Sequence, residues 1–137
     1  MVDTTIDWVY TDAWAANGIT WAYTNGADVL NNSWGGGLGA TVVNTAITDA
    51  VTNGRGGTGS VVVASAGNNN ENSVLWPASL SNVISVGALN MCDQRKHLLD
   101  GACGNNESWG SNYGSALDVT AAGRQPHDHR YYGRIWV

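Results

Sequence analysis

Hydrophobic and polar positions change their period along this chain, and the changes mark its elements. In residues 12–24, Trp14, Ile19, Trp21 and Ala22 recur at near-helical spacing, and Asn25-Gly26 supplies a stop, which predicts a helix. Residues 27–34 (ADVLNNSW) predict a strand leaving that tight turn. GGGLG at 35–39 is a loop that only a glycine-tolerant backbone can follow. Residues 40–52 predict a second helix, with Val43, Ala46, Ile47 and Ala50 on one face and Asn53-Gly54 as its cap. SVVVAS at 60–65 is an apolar, β-branched run of the kind buried on both faces of a parallel sheet. Shorter strands are predicted at 83–86 and 117–119, and no internal repeat interrupts the series. Alternating helix and strand predict an α/β fold: a parallel sheet with flanking helices and right-handed crossovers.

Composition narrows the functional classes. A chain of 137 residues is about one small domain. Only 12% of it is charged, against roughly 25% in an ordinary domain, which suggests a chain meant to be enclosed by more protein. Eleven acidic against six basic residues exclude a phosphate backbone as the main partner, so no nucleic acid is expected. No run approaches the 18 apolar residues of a membrane span. Seven Trp, five Tyr and the valine runs argue against intrinsic disorder. Met1-Val2-Asp3 lacks the basic and apolar regions of a signal peptide. Cys92 and Cys103 fit no metal template and could form one disulfide if the chain is exported.

In sheets of this class, ligands and catalytic groups collect at the carboxyl ends of strands. Two segments fall there: Ser33-Trp34-Gly35-Gly36-Gly37, and Ala64-Ser65-Ala66-Gly67-Asn68-Asn69-Asn70. Together they offer glycine-exposed backbone that can pair with an extended peptide, and a neutral carboxamide suited to a developing oxyanion. Ordinary turns are the plainer reading, because Gly and Asn are the default turn residues. Gly35-x-Gly37-x-x-Ala40 also matches a dinucleotide-binding fingerprint, but the acidic residue expected at the end of the next strand is not there. No G-x-S-x-G elbow is present, His97 reads as a surface loop histidine, and His127-x-His129 lacks a third metal ligand.

Four segments taken together, NGADVLNNSWGGG (25–37), SVVVASAGNNN (60–70), WPASLSNVISVGALN (76–90) and WGSNYGSALDVTAAG (109–123), resemble successive blocks of subtilisin-like serine proteases. The resemblance covers roughly residues 12–123 and implies the central part of a three-layer peptidase domain, 1–123, with its parallel sheet truncated. It implies peptide-bond hydrolysis by a Ser nucleophile, a His base and an orienting Asp. Asn68 matches the family's oxyanion-hole Asn. Ser33, Trp34 and Gly35 match the segment that pairs with substrate backbone and walls the primary specificity pocket, and Ala64, Ser65, Ala66 and Gly67 match the opposing wall. The Asp-Thr/Ser-Gly, His-Gly-Thr and Gly-Thr-Ser-Met-Ala blocks that carry the triad are not in the sequence, and Ala122 stands where the family usually has Pro. Gly57-Thr58-Gly59-Ser60 is no substitute, because it leads into a buried strand.

The resemblance therefore implies a fragment of a secreted endopeptidase acting on protein or peptide substrates in its parent enzyme, and inactive alone. Uncovered apolar faces on a truncated sheet would promote self-association. A non-catalytic peptide-binding or scaffold domain that kept a protease core is the alternative. No cofactor is expected; calcium is possible in the parent domain, but no site is assignable here. The last residues behave differently. Residues 1–123 carry three basic and ten acidic side chains (−7), and 124–137 carry three and one (+2). Back-translated degenerately and read one nucleotide later, the tail permits Gly-Val-Asn-Leu-Thr-Thr-Thr-Asp, close to the family's usual continuation. The expectation is an atypical basic tail produced by a frameshift.

Overall fold

The computed structural model describes residues 11–103 and 107–123. The tail expectation for 124–137, with His127 and His129, lies outside them. Helix α1 (Asp12–Thr24) begins where Thr11 turns extended and its hydroxyl accepts the Trp14 N–H at 3.3 Å, satisfying a donor the first turn leaves orphaned. It ends at Asn25, whose N–H returns to the Trp21 carbonyl. Strand β1 (Val29–Asn32) follows, shorter than the pattern predicted. Helix α2 (Thr41–Gly57) keeps helical dihedrals to Asn53 and breaks at Gly54, Arg55 and Gly56, as the Asn53-Gly54 cap foretold. Then come β2 (Val61–Ser65), β3 (Ile84–Leu89) and β4 (Val119–Ala122). β3 runs three residues further than its pattern predicted.

The four strands are parallel in the order β1-β2-β3-β4. On one sheet face Leu30, Val62 and Ala64 meet Val43, Ala46, Ile47 and Ala50 of α2 and Ala16 and Ile19 of α1, all at most 6% exposed. Each fully buried Val or Ile there contributes roughly 1.5–3 kcal/mol. Helix α1 forms where its spacing predicted, but Trp14 and Trp21 are 62% and 69% exposed, and its buried stripe is Ala16 and Ile19 with Ala15, Ala22 and Tyr23 packed beside them. One expectation fails. β2 is covered on one face only: Val29, Val61, Ile84 and Val119 line the other and are exposed, with no helix over them among the described residues.

The connection from β3 to β4 is long and internally braced. Cys92 and Cys103 are joined as a disulfide. Inside the loop it closes, Lys96 reaches Asp100 at 3.3 Å and the Trp109 carbonyl at 3.1 Å, with both side chains of the ion pair almost fully buried. Burial opposes ionisation of Asp100, but the His97 N–H donating to both its oxygens, with Lys96 and Asn90, outweighs this and holds its carboxyl below the usual range. At the far end of the connection, Asp118 accepts the Ser85 N–H at 2.8 Å and the Ser85 hydroxyl at 2.9 Å. Those bonds lower its pKa and pin the entry of β4 to the start of β3.

Candidate active site

Because β1 and β2 are adjacent and parallel, with Asn32 opposite Ala64, the segments leaving their carboxyl ends run side by side. Ser33, Trp34 and Gly35 form one wall, and Ser65, Ala66, Gly67 and Asn68 the other. The sequence-predicted residues thus converge, though not in equal ways. Asn68 is exposed, and among the described residues its carboxamide makes no hydrogen bond. Ser65 and Gly67 are half-buried. Ala64 and Ala66, each 1% exposed, turn their methyl groups into the core. The main-chain groups of Ala66 are also engaged: its N–H donates to Val86 and its carbonyl accepts from Leu75, both at 2.9 Å. These two alanines therefore set the path of the wall, with their side chains in the core.

The first wall is glycine-built and leans on an aromatic floor. The Gly36 N–H donates to the Trp76 carbonyl at 2.7 Å, and a Cβ on Gly35 would collide with that same oxygen. Trp34 packs edge-on against Trp76, ring centroids 5.9 Å apart, within the usual range for a T-shaped pair. The Trp76 indole N–H is held by Asn44 of α2 at 2.7 Å. Trp34 is thus half-buried against a fixed ring.

The second wall is held by a buried amide. Asn112 is 0% exposed; its Oδ1 accepts the Asn69 N–H at 2.8 Å and the Glu71 N–H at 3.3 Å. Its Nδ2 donates to the Ser73 carbonyl, and its own N–H to the Gly67 carbonyl, each at 2.8 Å. Gly67 lies at φ +108°, and a Cβ there would run into Asn112 Nδ2 and Leu75. Gly110 bridges Asn68 and Asn70 by main-chain bonds of 3.3 and 2.8 Å. The Arg95 guanidinium closes the arrangement: Nη1 donates to Asn70 Oδ1 and to the Ser111 carbonyl at 2.7 Å, over the Tyr113 ring. Asn112 and Arg95 had no part in the sequence-derived site. The Ser-Asn-Tyr-Gly phrase was visible, but its partners lie about 40 residues away and leave no local period.

Other expectations also find their places. His97 is exposed in the braced loop, its Nδ1 2.9 Å from Arg95 Nη2. Ser60 is buried and donates to the Ala27 carbonyl at 2.7 Å, so the 57–60 segment is structural. Among the described residues no group of three or more His, Cys, Asp or Glu could hold a metal ion, and no helix is long and apolar enough to cross a membrane.

Comparison with known proteins adds to this geometry. The profile of the subtilase family matches residues 8–135. The chain is 36% identical over 127 residues to a subtilisin of Bacillus pumilus, covering 90% of this chain and 39% of that protein. It is 38% identical over 99 residues to an extracellular basic protease of Dichelobacter nodosus, covering 71% of this chain and 16% of that protein. Among solved structures, the psychrophilic subtilisin-like protease Apa1 from an Antarctic Pseudoalteromonas matches with a TM-score of 0.61 at 26% identity, over 85% of this chain and 23% of that one. The chain thus spans well under half the length of each of these relatives.

Proposed function

The chain belongs to the subtilase family, and from that premise we propose that it supplies the oxyanion donor and the substrate-pairing wall of a secreted serine endopeptidase. The observation that carries this reading is the convergence of Ser33–Gly35 with the Gly67-Asn68 turn at two adjacent strand ends, with the Asn68 carboxamide exposed. An extended peptide lies along Ser33-Trp34-Gly35 as an added strand, its scissile carbonyl toward Asn68. When a Ser hydroxyl attacks that carbonyl and a His takes its proton, the oxygen becomes an anion and Asn68 Nδ2–H donates to it. A donor of this kind contributes about 10²–10³ in kcat, a magnitude established in a member of this same family. It does nothing without a nucleophile, and none of the triad blocks stands in these 137 residues. By itself the chain is therefore a binding and oxyanion part, a fragment of the enzymatic machinery. The Cys92–Cys103 disulfide suits an oxidising, extracellular setting.

Purified 1–137 in a casein or acyl-ester assay is expected to show no turnover above buffer; clear hydrolysis overturns the division of labour proposed here. A peptide-binding module with a retained protease core is the second reading, favoured by the closed α1–α2 core and the disulfide-braced loop. It requires a monomer with a cooperative melt. The first reading instead expects the uncovered face of Val29, Val61, Ile84 and Val119 to drive association, visible as concentration-dependent mass in sedimentation.

A further inference from the structure

The Asn68 turn has few means of holding its own shape. It is a loop at a strand end, it needs Gly67 in the left-handed region, and Asn70 also sits there at φ +59°. Short polar loops of this composition open readily unless something orders them. A donor that must point at a developing oxyanion has to be fixed before the reaction, because reorganisation during it forfeits the stabilisation. The groups that order this turn come from elsewhere in the chain, and they act on both of its sides.

We propose that Asn112, backed by Arg95, is a positioning residue for the Asn68 carboxamide. Asn112 meets the turn at Gly67, Asn69, Glu71 and Ser73, the residue before Asn68 and three after it. Three of those four bonds come from one carboxamide buried from solvent. An Asn side chain offers two acceptor lone pairs and two donor hydrogens. Here both ends are in use, so no other residue of this size keeps the set. Arg95 acts two residues beyond Asn68, through Asn70 Oδ1. The same Nη1 also binds the Ser111 carbonyl, beside Asn112, so the two clamps share one anchor. Arg95 itself springs from the loop closed by Cys92 and Cys103, between the disulfide and the buried Lys96–Asp100 pair. The orientation of the oxyanion donor is thereby set by the β3–β4 connection, through Arg95 and Asn112, 27 and 44 residues downstream of Asn68.

The proposal rests on the reading of Asn68 as the oxyanion donor, and the experiment separates the two. Amide hydrogen exchange is followed by NMR on uniformly ¹⁵N-labelled 1–137 and on Asn112→Ala, Asn112→Asp and Arg95→Met. Removing the Asn112 carboxamide is expected to speed exchange of the Asn69 and Glu71 amides on the order of tenfold to hundredfold, with the core amides of Leu30 and Val62 unchanged. The Asn68 side-chain NH₂ resonances should shift in step. Asn112→Asp keeps the acceptor, so the Asn69 amide should regain most of its protection. Arg95→Met changes a half-buried residue and keeps the fold measurable if Asn112→Ala does not fold; it should loosen Asn70 and the Asn68 resonances and leave Leu30 and Val62 alone. Unaltered exchange at 69–71 and unaltered Asn68 resonances in the folded variants would overturn the positioning role. So would a rise that is uniform across turn and core, the mark of a residue that only stabilises the fold. Adding an extended peptide to the unsubstituted chain reads the other half: no response at Asn68 would sink the oxyanion reading while leaving the exchange result to stand.

Discussion

The two walls that leave the ends of β1 and β2 are held in different ways. The Ser33–Gly39 wall rests on Trp76: the Gly36 N–H donates to the Trp76 carbonyl and Trp34 packs edge-on against the Trp76 ring. The Gly67–Ser73 wall is a polar turn locked by buried hydrogen bonds from Asn112 and by a guanidinium from Arg95. Aromatic packing is tolerant of small displacements, whereas a hydrogen bond weakens steeply with distance and angle. Under the function proposed above, one wall would adjust to different side chains of a bound peptide while the other holds a single donor in place, and a site that accepts many sequences but stabilises one transition state needs both.

The sharpest way to break this contrast is to place the same substitution in each wall. Gly67 and Gly36 lie at similar φ, +108° and +113°, but a Cβ at Gly67 meets Asn112 and Leu75 whereas at Gly36 it meets open space. Gly67→Val is expected to cost on the order of 3 kcal/mol or more, from strain plus collision, and Gly36→Val about 1–2 kcal/mol, from strain alone. Urea unfolding of both variants measures the gap; equal losses would erase the distinction between the walls. Next in size is the brace behind Arg95. Cys92→Ser with Cys103→Ser should lower stability by about 2–4 kcal/mol and loosen Asn70 before it disturbs Trp34, readable by combining thermal melts with amide exchange.

A smaller effect belongs to the aromatic floor. Asn44→Ala leaves the half-buried Trp76 N–H without its acceptor, costing about 1 kcal/mol, and should change tryptophan fluorescence while leaving exchange at Asn69 untouched. The gentlest lever is pH. Asp100 has a folded pKa below its unfolded value, so its contribution is fully present above the unfolded pKa, about 3.9, and is lost as pH falls through the folded value. Melts between pH 6 and pH 2 should show stability dropping in the acid range, with a shallower drop in Asp100→Asn. Asp118, whose bonds to Ser85 also lower its pKa, adds to the loss in the same direction.

What was legible in the sequence was local. The α1 bounds follow from near-helical spacing and an Asn-Gly stop, and the buried face of α2 from a clean three-four spacing. Trp14 and Trp21 helped fix the α1 period yet face solvent, because the packed face is Ala16 and Ile19 with Ala22 and Tyr23, and spacing alone does not say which stripe meets the sheet. The valine run of β2 promised two covered faces, and a run alone does not say which neighbours will cover it. The strand-end position of Ser33, Gly35 and Asn68 could be read, since it depends only on where strands stop. Asn112 and Arg95 could not, because their meaning lies in partners brought close by the parallel register of β2, β3 and β4. An Asn in a Ser-Asn-Tyr-Gly phrase looks like any turn residue until its buried amide is seen to hold another turn.

The most direct test of the central claim is an NMR titration of ¹⁵N-labelled 1–137 with an extended apolar tetrapeptide. Saturable shifts are predicted at the amides of residues 33–36 and at Gly67 and the Asn68 side chain, larger and broader on the Trp34 side, with no peptide cleaved. Shifts confined to the exposed face of Val29, Val61, Ile84 and Val119, or no saturable shifts at either wall, would contradict it.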